Sequence, residues 1–178
     1  IIMPDLPVSI IPTTGTFTRL LQAIDVSGLA ITPARPGKTY DLGDGATLQI
    51  LAPVGDYDDL NNLSVVCRLE YRQVSFLFTG DIEAQAEADL LESGYLLGAD
   101  VLDVAHHGSN SSSTTAFLRE VSPQIAVFSC GIDNSYGHPH KEPVERLDAL
   151  GVALFRTDPD GTVVVSSDGL AMGVQTEM

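Results

Sequence analysis

Val74-Ser75-Phe76-Leu77-Phe78 is a short apolar run that ends in Thr79-Gly80-Asp81. Such a run reads as a strand, and Gly80 lets the chain leave a sheet sharply, so that Asp81 stands at the sheet's edge. The pattern recurs downstream. The strand-like segment Asp100 to Ala105 ends in His106-His107-Gly108-Ser109, and Ile125 to Cys130 runs into Gly131-Ile132-Asp133-Asn134-Ser135-Tyr136-Gly137-His138-Pro139. Successive strand ends thus deliver Asp81, His106 with His107, and His138 to one edge. Open α/β sheets hold ligands at the carboxyl ends of their strands, because the flanking loops leave a crevice there.

Working outward, Ser64 to Tyr71 and Val74 to Phe78 flank the tight Arg72-Gln73 turn and read as a β-hairpin, with Ala46 to Leu51 as a strand before it. Ile82 to Glu92 alternates apolar and polar residues like a strand. Its Ala, Glu, Gln and Leu content argues for a helix instead, with Asp81 as N-cap candidate and Gly94 as its stop. Ser113 to Val121 and Glu142 to Leu150 read as further helices, the latter with Pro143 in its first turn and Gly151 at its end. Val152 to Arg156 and Thr162 to Ser166 read as strands. Residues 1–38, broken by five prolines around one helical stretch from Phe17 to Val26, form an irregular lead-in, and residues 170–178 a tail. Strands alternating with helices after a hairpin predict an α/β fold, a sheet covered by helices on at least one face.

Composition bounds the function. The 178 residues suit a single domain with a core, and 44% apolar against 19% charged residues excludes a disordered chain. Lys and Arg number 9 against 24 Asp and Glu, a formal charge of −15. That excludes the broad basic surface by which most proteins hold nucleic acid, so a phosphate-bearing substrate would need positive charge from another source, such as a metal ion. Cys67 and Cys130 sit in apolar runs and read as buried thiols. No apolar stretch is long enough to span a membrane, and the first residues lack the basic start of a signal peptide. The chain opens with Ile1-Ile2-Met3, as expected for a fragment.

All four histidines, His106, His107, His138 and His140, fall within residues 106–140. Any one alone would be taken for a surface or satisfied core residue, and Asp81 alone for a helix cap. A carboxylate and imidazoles converging on one crevice are instead ligands suited to zinc or manganese.

Thr79-Gly80-Asp81, His106-His107-Gly108-Ser109 and Asn134-Ser135-Tyr136-Gly137-His138-Pro139, in this order, resemble the metallo-β-lactamase-fold domain of the ComEC/Rec2 DNA-uptake family. The likeness runs from about Ile31 to Gly169 and includes Leu48 to Pro53, Asn62-Leu63-Ser64-Val65-Val66, Arg156-Thr157-Asp158 and Asp160-Gly161. It implies an αββα sandwich, of which this chain would be the carboxyl-terminal part (residues 39–169), and two divalent metals, zinc or manganese. Carried over, Asp81 bridges the metals, His107 is an imidazole ligand, and His106 and His138 act on the substrate. Sequence does not separate the roles of His106 and His107. Ser109, Asn134 and Tyr136 are further substrate-side candidates. His140 matches nothing and reads as a solvated residue at a helix start.

The family's H-x-[HD]-x-D-H motif has no counterpart here, since no histidine precedes residue 106. A catalytic zinc normally takes three protein ligands, so the metal site in this chain is expected to be incomplete and the isolated chain inactive. The resemblance therefore implies part of a phosphodiesterase-type hydrolase, a soluble domain of a bacterial inner-membrane protein, with single-stranded DNA and the membrane-channel portion of the same protein as partners. The competing readings are a non-catalytic interaction module of such a transporter and a metallohydrolase of the same fold acting on another ester.

Overall fold

The computed structural model describes residues 1–177. In chain order the elements are β1 (Ile2–Met3), α1 (Gly15–Val26), β2 (Thr32–Pro33), β3 (Thr39–Gly43), β4 (Ala46–Ile50), β5 (Cys67–Tyr71) and β6 (Val74–Phe78). They continue with α2 (Ala84–Glu92), β7 (Val101–Asp103), α3 (Thr115–Val121), β8 (Ile125–Phe128), α4 (Lys141–Ala149), β9 (Ala153–Arg156), a one-turn α5 (Thr157–Asp160), β10 (Thr162–Ser167) and β11 (Met172–Glu177). β3 to β9 form a seven-stranded sheet in sequential order. Neighbours from β3 to β6 are antiparallel, and those from β6 to β9 are parallel. Each parallel step crosses over through a helix, α2, α3 and then α4.

The α/β expectation therefore holds, and its physical basis is the period of two along each strand. Leu77, Leu102 and Ala126 are paired across β6, β7 and β8 and lie on one face, buried against Ile82, Ala86 and Leu90 of the α2 region, Phe117 and Leu118 of α3, and Leu147 of α4. Burying a leucine or phenylalanine fully contributes about 1.5–3 kcal/mol, so this face is where most of the fold's stability resides. The opposite face carries Phe76, Phe78, Val101, Asp103 and Val127. Val163 and Val165 of the β10–β11 ribbon stand across from it, leaving a cleft of about 380 Å³.

Several local expectations are corrected. β5 begins at Cys67 and not at Ser64, because the Val66 carbonyl accepts from both Leu51 N and Ala52 N and interrupts regular pairing. β3 and β11 form where no strand is expected: β3 is a mostly exposed edge with a register shift between Asp41 and Gly43, and β11 pairs with β10 where a tail is expected. Asp81 does not cap α2. The N-cap is Glu83, whose own side chain makes no capping bond. The buried Asn62 supplies the cap from a remote loop, its Oδ1 accepting from Glu83 N (3.0 Å) and Ala86 N (3.3 Å). In the same way the fully buried Glu87 of α2 accepts from Ser113 N and Thr114 N, fixing the turn that leads into α3.

Candidate metal and phosphate site

Gly80 has φ +57°, and a Cβ there would lie 2.9 Å from Ser64 Cβ. The glycine thus allows both the turn and the close passage of the Ser64 loop, whose Oγ accepts from Asp81 N at 3.0 Å. With α2 capped by Asn62, the Asp81 carboxylate is free to face the crevice.

His106 and His107 follow β7 in left-handed backbone conformations, φ +51° and +57°. Such conformations cost non-glycine residues about 1–2 kcal/mol each, and two in succession need outside support. His106 N donates to Gly80 O (2.9 Å), Ser109 N to His106 O (2.9 Å), and His140 N to Gly108 O (2.9 Å). Gly108 is required between them, since a Cβ there would lie 2.6 Å from Pro139 Cβ and 2.7 Å from Phe128 Cδ1. The twist sends the two rings apart, with centroids 6.3 Å apart and planes at 69°.

The adjacent histidines therefore meet different partners. His107 Nδ1 lies 2.8 Å from Ser129 O, and because a carbonyl only accepts, Nδ1 carries the hydrogen. Nε2 is left with its lone pair 3.5 Å from Asp81 Oδ1. Two acceptors at that distance call for a shared proton or cation. Donor atoms on one tetrahedral zinc, at bonds of about 2.0–2.1 Å, are separated by about 3.4 Å, so the Asp81–His107 pair fits a metal ion. His106 turns the other way, its Nδ1 3.3 Å from Glu83 Oε1.

The ring of His138 lies 5.6 Å from that of His106 and 6.2 Å from that of His107. His107 and His138, with Tyr136 and Cys130, line a pocket of about 220 Å³. Burial first, and then the neighbouring rings of His140, His106 and His107, hold the His138 pKa below its usual value. Tyr136 stacks on His138 at 5.6 Å and is largely exposed, so it is accessible to a ligand.

Two substrate-side candidates are internal braces. Ser109 is buried, and its hydroxyl pairs with Ser111 Oγ at 2.9 Å. Asn134 spends its amide within its own loop, donating to Gly131 O and His138 O and accepting from His138 N. His140 stands at a helix start as expected, but it is half-buried and engaged rather than simply solvated. It is the N-cap residue of α4, its Nδ1 accepts from Asn110 N at 3.0 Å, and its ring packs 4.9 Å from that of His138.

Sequence reasoning missed Asp103 and Glu83. Asp103 ends β7 on the cleft face, and burial pushes its pKa up although the neighbouring His107 lowers it. Its signal was an acidic residue two positions from Val101, on the same strand face. Cys130, half-buried beside the pocket, donates to Asp158 Oδ1 (3.3 Å), and burial and that carboxylate push its thiol up to about 11. It is therefore a thiol at neutral pH. Among the described residues, no three metal-ligating side chains converge on one point.

A model of the metallo-beta-lactamase superfamily matches residues 8–132. The chain belongs to that superfamily. Proteins with similar sequences include ComE operon protein 3 of Bacillus subtilis, 33% identical over 82% of this chain and 19% of that protein. Competence protein ComA of Neisseria gonorrhoeae is 39% identical over 67% of this chain and 18% of that protein. The chain thus spans about a fifth of the length of these relatives. The solved structure of CmlA, a diiron beta-hydroxylase from Streptomyces venezuelae, matches 88% of this chain and 38% of that one with a TM-score of 0.56 at 14% identity, a likeness of fold. Among the described residues, no helix is long and apolar enough to cross a membrane.

Proposed function

We propose that this chain is part of a metal-dependent phosphodiesterase-type hydrolase acting on single-stranded DNA during uptake, working with the membrane-channel portion of the same protein. The observation that carries the proposal is the Asp81 Oδ1 to His107 Nε2 approach at 3.5 Å, with His107 oriented from behind by Ser129 O. The names of the competence-protein relatives support the DNA-uptake setting. Asp81 and His107 hold the metal side of the site, and the remaining ligands come from an upstream segment bearing an H-x-[HD]-x-D-H motif. Divalent ions there, zinc or manganese, supply Lewis acidity toward a phosphate ester and the positive charge that a chain of net charge −15 lacks. His106 and His138 lie on the substrate side, His138 as an N–H donor to a phosphate oxygen, while Tyr136 offers an aromatic face to a nucleotide base.

The test is nuclease activity of the longer protein, upstream segment included, with manganese or zinc. The proposal expects metal-dependent cleavage that Asp81→Ala abolishes; activity unchanged by Asp81→Ala defeats it. The 178-residue chain alone is expected to bind metal weakly and hydrolyse nothing. A tight, stoichiometric two-metal complex of this chain would refute that incompleteness. A non-catalytic docking module is the second reading, favoured by the exposed apolar residue Phe78 on the cleft face, and a longer protein that takes up no metal on titration would select it.

A further inference from the structure

Asp81 and Glu83 flank the fully buried Ile82 and present their carboxylates to consecutive histidines, Asp81 to His107 and Glu83 to His106. The second pairing has no role in the proposed metal site. Glu83 Oε1 is held from behind by two groups, accepting from Ser111 Oγ at 3.1 Å and from Asn61 Nδ2 at 3.2 Å. The Ser111 carbonyl in turn accepts from Ala84 N at 2.9 Å, so the carboxylate's loop and the serine loop are tied together. Facing this fixed oxygen is His106 Nδ1, a buried atom with no other hydrogen-bond partner among the described residues. The separation of 3.3 Å is an ion-pair distance, but the ring N–H direction is not aligned on that oxygen closely enough to make a hydrogen bond.

A carboxylate oxygen has no hydrogen to offer. An imidazole nitrogen buried against it must carry one, since two lone pairs facing each other away from water would be left unsatisfied. Nδ1 is therefore the protonated nitrogen and Nε2 the unprotonated one, in a ring whose centroid lies 5.6 Å from that of His138. We infer that Glu83 is the positioning residue of His106, fixing the ring with Nδ1–H on Glu83 and the unprotonated Nε2 toward the crevice. The role concerns tautomer and ring orientation, and it holds whatever the substrate. Only its kinetic consequence rests on the hydrolase reading.

The experiment is nitrogen NMR of the histidine side chains in this chain, above neutral pH and without metal. Wild-type His106 is expected as the Nδ1–H tautomer. Glu83→Gln is expected to keep it, because Asn61 and Ser111 both donate to the Oε1 position and so hold the amide oxygen there. Glu83→Ala is expected to shift His106 toward Nε2–H. His107, whose Nδ1–H goes to Ser129 O, reports on the fold in the same spectra and stays unchanged. An Nε2–H His106 in the wild type overturns the inference by itself, and so does a Glu83→Ala spectrum in which neither histidine changes. In the metal-supplemented longer protein, Glu83→Ala is expected to lower kcat about tenfold or more at unchanged KM, with Glu83→Gln largely rescued. Equal losses in the two variants would contradict the positioning role. Failure of the wild type to cleave DNA would defeat the hydrolase reading and leave the tautomer result standing.

Discussion

Leu77 and Phe78 are neighbours in β6, yet the first is fully buried and the second is 39% exposed. One strand step sends them to opposite faces of the same sheet. The Leu77 face is closed by α2, α3 and α4 and fixed by two buried polar caps, Asn62 on α2 and Glu87 before α3. The Phe78 face meets only the β10–β11 ribbon across an open cleft. Stability and chemistry are thus divided between faces. The helices hold the strands rigid, and the strand ends carry the candidate site residues at the rim of the less covered side.

Substitutions test this division. Leu77→Ala is expected to lower stability by about 2–5 kcal/mol in urea unfolding, as for a fully buried leucine. Gly108→Ala, which would force a Cβ against Phe128 and Pro139 in a left-handed backbone, is expected to cost about 1–3 kcal/mol and to displace His107 and His138, visible as shifts of their ring resonances. Glu87→Ala leaves the Ser113 and Thr114 N–H groups without their acceptor and is expected to cost about 1–3 kcal/mol.

The pH dependence of stability sharpens the point. Burial raises the Glu87 pKa above its ordinary value of 4.5, so the folded state takes up its proton more readily than the unfolded chain. The stability this contributes is complete below 4.5 and declines as pH rises through the raised value. Stability of Glu87→Gln, followed by urea unfolding across that range, is expected to lack this decline. The smallest effect belongs to the open face: Phe78→Ala is expected to cost about 1–2 kcal/mol, since 39% of the residue is already in water. A Phe78→Ala loss as large as that of Leu77→Ala would break the comparison.

The parallel half of the sheet was legible because its strands are short apolar runs ended by glycine turns, signals carried within a few residues. The site's convergence was legible for the same reason, since strand ends in a parallel sheet share an edge. The cap of α2 was not legible. Asp81 has the right residue type and place, and the competitor that displaces it, Asn62, lies 21 residues before Glu83. Nor could sequence separate His106 from His107, because their divergence depends on left-handed backbone at two non-glycine residues, which Gly80 O, Ser129 O and His140 support from elsewhere in the chain. β3 and β11 escaped notice because their burial is slight and the pairing partner, not apolar content, makes them strands.

Asn62 has a consequence for the order of events in folding. Its amide reaches α2 across the β5–β6 hairpin, and Ser64 reaches Asp81 the same way. Each bond closes a loop that contains the hairpin, so the turn that presents Asp81 is expected to mature after the hairpin has closed. Interactions absent from the transition state act on the unfolding rate. Asn62→Ala is therefore expected to speed unfolding more than it slows folding, so that Asn62 sets how long the assembled crevice survives, a split that folding and unfolding rates in urea would read.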